Sequence, residues 1–125
     1  MFDAHGAQTV LELLPPASVT ADANGTGVDM KNYVGQAKVI LHCGAATAGT
    51  NPTMDVKLQE SDDDSSYADI SGGAFTQVTT VLSLQAMILD LDKTKRYVRA
   101  VKDIGGTDSP AFPMSALLIG IKQVN

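Results

Sequence analysis

A chain of 125 residues is room for one domain. Its composition, 44% hydrophobic and 18% charged, can fill a core and excludes a disordered acidic tail, while a formal net charge of −5 argues against nucleic acid as the main partner. One cysteine, Cys43, cannot close an internal disulfide, and with no Trp and only 5% aromatics the stacking platforms of many sugar and base readers are missing.

Short apolar runs alternate with clusters of Gly, Pro, Asn, Asp and Ser, which predicts an all-β domain. Residues 7–14 read as the first strand, stopped by Pro15-Pro16 because proline cannot donate to a ladder. A short piece over 17–21 precedes Asn24-Gly25, a strong hairpin signal because both residues tolerate positive φ. Residues 26–30 lead to Gly35 and then to a central strand over 36–43. Its run Val39-Ile40-Leu41 is apolar on both faces, so cover is expected on both sides.

Residues 45–52 read as a surface loop. Over 54–60, Met54, Val56 and Leu58 alternate with Asp55, Lys57 and Gln59, the pattern of a strand buried on one face. An acidic turn over 61–66 leads to a returning strand at 67–70, a break at Gly72-Gly73, and strands over 75–82 and 84–91. Met87, Leu89 and Leu91 share one face of the latter, although Leu84, Met87, Ile88 and Leu91 also fit a helical period. A basic turn at 93–95 enters a strand over 96–103, and a loop over 105–110 separates it from an apolar last strand over 112–122. The expectation is a β-sandwich of jelly-roll-like form with about eight antiparallel strands, over residues 7–125 behind a flexible arm of residues 1–6.

Candidate chemistry is sparse. His5 and His42 are the only histidines, with no third ligand at recognisable spacing for zinc. Cys43 beside His42 cannot act as a nucleophile pair, because strand neighbours point to opposite faces. Glu60, Asp62, Asp63 and Asp64 cluster, but the sixth and twelfth places counted from Asp62 hold Tyr67 and Gly73, not the Gly and Glu of an EF-hand. A solvated turn, with Asp and Ser side chains bonded to local backbone, explains the cluster. Lys93, Lys95, Arg96, Arg99 and Lys102 form the one basic concentration, which reads as a solvent- or partner-facing strand in which Tyr97 and Arg99 share a face as an interface pair. With no phosphate loop or nucleophile elbow, no enzyme, cofactor or metal is expected. The longest apolar runs are far too short to span a bilayer, and Met1–Gly6 lacks the basic region of a secretion signal, so no membrane partner is expected.

Three segments together carry a resemblance. They are Gly27-Val28-Asp29-Met30-Lys31-Asn32-Tyr33 with the strand through Val39-Ile40-Leu41; Asp55 to Asp63 running on to Tyr67-Ala68-Asp69-Ile70; and Lys95-Arg96-Tyr97-Val98-Arg99 followed by the strand ending at Leu118-Ile119-Gly120. In this order they resemble small tailed-phage and prophage proteins encoded among head genes, several of them capsid decoration (cement) proteins. One departure is Asp64, where the pattern has glycine.

The resemblance implies a β-sandwich that binds the outside of an HK97-like capsid as a dimer or trimer and reinforces the head. Its partners would be the major capsid protein and copies of itself; it would be made in the host cytoplasm and end on the virion. Contacts are expected from the arm (Phe2, His5), from turns at Asn24, Asp63 and Lys95, and from Tyr97 and Arg99. A head–tail or tail component, and a carbohydrate- or calcium-binding β-sandwich module, are the alternatives.

Overall fold

The computed structural model describes residues 8–123, which form strands and no helix. In chain order the strands are β1 (Gln8–Val19), β2 (Ala23–Asn24), β3 (Val28–Asp29), β4 (Tyr33–Cys43), β5 (Ala48–Ser61), β6 (Ala68–Ala74), β7 (Ser83–Asp90) and β8 (Tyr97–Lys122). All pairings are antiparallel. The expected all-β, sandwich-like architecture is what the chain adopts.

β8, 26 residues long, organises everything else. From Phe112 onward it lies between β1 and β4, and β7 completes a first sheet in the order β1-β8-β4-β7. From Tyr97 to Ala111 it pairs with β5, which carries β6 on its far side, while β2 and β3 run along the other edge of β8 to complete a second sheet. The core fills the space between. Val39, Leu41, Leu118, Met54, Leu58, Val98 and Phe112 are all fully buried, supplied by the inward half of each period-2 strand.

Several segments depart from expectation, each for a local reason. Residues 105–110 are not a free loop, and the loop expected at 45–52 is mostly strand, because Ala48, Thr50 and Thr53 stay paired with Ala111, Thr107 and Gly105 through the corner. Left-handed residues on both strands (Gly49, Asn51, Gly106, Asp108 and Ser109) let them turn together with shifted register. Pro15-Pro16 does not end β1: the prolines fall in a register shift on an edge strand, where a missing N–H costs little. Gly72-Gly73 lies inside β6 beside a bulge, with Gly72 left-handed at φ 73°.

Asn24-Gly25 makes no hairpin. The chain continues along β8, with Asn24 opposite Val101 and the Gly25 N–H donating to the Ala100 carbonyl at 2.7 Å. Residues 75–82 cross from one sheet to the other, held by an isolated bridge between Val78 and Met54, by the Phe75 N–H donating to the Val56 carbonyl at 2.9 Å and by the Ala46 N–H donating to the Thr79 carbonyl at 3.3 Å. The stretch with a rival helical period is strand β7, with Leu89 and Leu91 buried as the alternation predicts. Asp64, standing where glycine was expected, takes the left-handed conformation glycine would supply, at φ 59°.

Candidate interaction surfaces

The two sheets present outer faces of opposite chemistry. On the second sheet most residues pointing away from the core are polar, Val101 excepted, and those from β6 across β5 to Arg99 are bonded to one another. The Arg99 guanidinium lies 3.9 Å from the Tyr67 ring centroid and donates from Nε and Nη2 to Gln59 Oε1 at 2.9 and 2.8 Å. Gln59 Nε2 donates to Asp69 at 2.8 Å, and Lys57 Nζ sits 3.0 Å from the same carboxylate. The Gln59 and Lys57 contacts hold the Asp69 carboxyl below the usual carboxylate range.

At one end of this sheet the 62–67 turn meets the β7–β8 turn. Lys95 Nζ lies 3.6 Å from Asp62, and the Lys95 N–H donates to Glu60 at 3.1 Å. Arg96 holds Asp29 bidentately, from Nε at 3.0 Å and Nη2 at 2.8 Å, and this bond brings the Asp29 carboxyl down to about 2. Asp63 accepts the N–H groups of Ser65 and Ser66 and the hydroxyl of Ser61, which lower its pKa and close the turn. Tyr67 donates its hydroxyl to Asp64; burial first, and that carboxylate second, push Tyr67 up to about 12. The acidic turn is thus satisfied by local donors. Among the described residues no group of three or more His, Cys, Asp or Glu side chains is placed to hold a metal ion.

Of the contact residues expected from sequence, Asp63, Lys95, Tyr97 and Arg99 gather at this end, while Asn24 stands apart on β2. Tyr97 stacks with Arg96 at 5.0 Å. Phe2, His5 and the expected arm lie outside the described residues.

The outer face of the first sheet is apolar. Register places Val10, Ile119, Lys38 and Ile88 in one row across β1, β8, β4 and β7, and Glu12, Leu117, Ile40 and Ala86 in the next. Leu84 follows beside His42. Val10 is 63% exposed, Leu84 69% and Ile88 57%, with Leu82 at 60% beside them. Shallow grooves run between these strands. An open apolar surface of this extent marks an interaction site.

The expectation that Val39-Ile40-Leu41 is covered on both sides is therefore corrected. Val39 and Leu41 are fully buried, but Ile40 is only half-buried, on the open face. This face is what residue-by-residue reading missed, although the doubly apolar runs at 39–41 and 116–119 were its signal. His42 is exposed there while its neighbour Cys43 is buried, so the two point to opposite faces.

No family model matches the chain, and no curated protein sequence matches it. Among solved structures, the crystal structure of the SPBc2 prophage-derived protein YomS matches at a TM-score of 0.55, covering 92% of this chain and 93% of that one at 9% identity. At that identity the likeness shows a shared fold. The sandwich is thus a fold this chain has in common with a prophage-derived protein.

Proposed function

We propose that this chain is a phage structural protein that binds the outer surface of an HK97-like capsid and stabilises the head as a decoration protein. The observation that carries the reading is the fold in common with a prophage-derived protein over 92% of this chain. Two features support it. The β8 corner stays paired to β5 throughout, which ties the two sheets into a stiff unit suited to bearing load. Two large surfaces, one apolar and one charged, offer contacts that a lattice can repeat many times, so modest individual contacts add up to avidity. The role needs no catalytic residue, cofactor or metal.

The test is co-sedimentation with purified, undecorated heads, followed by electron microscopy of the pellet. Saturable binding in regular clusters at local symmetry axes is expected. Absence from the shell, with the protein at one vertex or in tails, would move the assignment to a head–tail component.

A further inference from the structure

We infer that the outer face of the first sheet is a two-fold interface between two copies of this chain. The inference deepens the capsid reading, which expects copies of the chain to associate, by naming the face that joins them, and sedimentation of the free protein can refute it without deciding whether the protein binds heads. It begins with strands that are apolar on both sides. β4 and β8 carry Ile40, Leu117 and Ile119 outward as well as Val39, Leu41 and Leu118 inward. Among the described residues only the inward half is covered, and nothing there packs on the outward half as such strands require.

Charge identifies that partner. At a net charge of −5, two copies repel across most orientations. The rows at the centre of this face carry one carboxylate, Glu12, and one ammonium, Lys38, and are neutral in sum. Neither has an ion-pair partner among the described residues, whereas Lys57 on the second sheet and Lys95 and Arg96 in the turn before β8 are paired within the chain.

The placement of the two charges is self-complementary. Glu12 stands opposite Leu117 on one edge of β8, and Lys38 stands opposite Ile119 on the other. A two-fold axis that lies in the interface, crosses β8 between Leu117 and Ile119 and runs diagonally, perpendicular to the line from Glu12 to Lys38, sets each Glu12 against the partner's Lys38, twice by symmetry. The apolar residues around them meet in the same operation.

The area is sufficient for such a contact. Four strands at about 4.8 Å spacing and seven residues at about 3.4 Å rise give a face of roughly 19 by 24 Å, or about 450 Å² per copy before side-chain relief is counted. Two such faces fall at the lower end of specific interfaces, near 1,000 Å² in total by order of magnitude, roughly where a reversible dimer lies.

The experiment is sedimentation of the purified full chain across micromolar concentrations, with wild type, Glu12→Lys, Lys38→Glu and the double exchange. All these positions are exposed, and circular dichroism checks that each variant keeps the fold. Wild type is expected to dimerise reversibly, and each single reversal to weaken association by about tenfold or more. The double exchange, and an equimolar mixture of the two singles, should restore it, because opposite charges again face each other. A wild type that stays monomeric throughout would overturn the inference. So would a dimer indifferent to both reversals and to Ile119→Asp at the centre of the face.

Discussion

Leu117 and Leu118 are consecutive residues with opposite surroundings, and truncating each in turn tests the register of the first sheet. Leu118 is fully buried, opposite Leu11 on β1 and Val39 on β4, and no part of its side chain meets solvent. Leu118→Ala removes its outer carbons from a packed layer held by two flanking strands. By analogy with large-to-small core changes the loss is about 3 to 4 kcal/mol. Leu117 points to the open face and is half-buried, so Leu117→Ala gives up only part of its transfer free energy, about 1 kcal/mol or less. Domains of this size are stable by about 6 to 15 kcal/mol, so the first change lowers the melting temperature by roughly 10 to 15 °C and the second by a few degrees. Urea unfolding with an unchanged slope, at a concentration low enough to keep the chain monomeric, reads both values. Equal losses, or a larger loss for Leu117→Ala, would refute the assignment of inward and outward faces on β8.

Three further outcomes follow from the backbone and from buried or paired groups. Gly106 has φ 110°, and a Cβ there would lie 2.8 Å from the Asn51 carbonyl oxygen and 2.9 Å from that of Thr50. Gly106→Ala therefore costs about 3 kcal/mol, whereas Gly35→Ala, at φ 72° with open space around it, costs about 1 kcal/mol in thermal or urea unfolding; the reverse order would contradict the paired corner. Burial pushes the Cys43 thiol from its ordinary 9.0 up to about 11, so at pH 8 the native thiolate is about a hundredfold scarcer than in the unfolded chain. Labelling by a thiol reagent should be slower by at least that factor until denaturant is added. Asp29, lowered by Arg96, adds stability that is complete above its unfolded pKa and is lost as pH falls toward about 2. Because both partners are more than two-fifths exposed the effect is small, and Asp29→Asn should flatten that limb of the acid-unfolding curve.

How much of this was legible in the sequence depends on which interactions decide each segment. Met54, Val56 and Leu58 alternate cleanly with polar neighbours, and all three are buried as that period requires. The acidic turn also read correctly, because Asp63 finds its donors within three residues. The corner of β8 did not. Gly105-Gly106 and Ser109-Pro110 carry the local chemistry of a loop, and only pairing with the equally irregular start of β5, more than fifty residues away in sequence, makes them strand. Asn24-Gly25 failed for the same reason: a long-range bond from the Gly25 N–H to Ala100 overrides a local turn preference. For the candidate surface, Asn24, Asp63 and Lys95 were chosen for their place in turns, and the charges of Asp63 and Lys95 are taken up by partners within the chain. The apolar face was legible only as a contradiction between two doubly apolar strands and a single core.

That division of chemistry between the faces has a consequence for assembly that salt can read. If the apolar face is taken up by a second copy, the surface left for a capsid is the charged end where the 62–67 and 91–96 turns meet, with Asp62 and Lys95 on its rim. Contacts between exposed charges are screened over about 8 to 10 Å at moderate ionic strength, whereas burial of apolar surface is not weakened by salt. On the proposed reading, raising salt from low to about molar concentration should release the protein from heads while leaving the Glu12 and Lys38 dimer weakened only modestly, since its apolar residues carry most of the contact. The two processes are then separable in one titration, by pelleting for the heads and by sedimentation for the free protein. Head binding that survives molar salt would refute a charged attachment surface. It would place the apolar face of the first sheet against the capsid instead, in competition with the dimer.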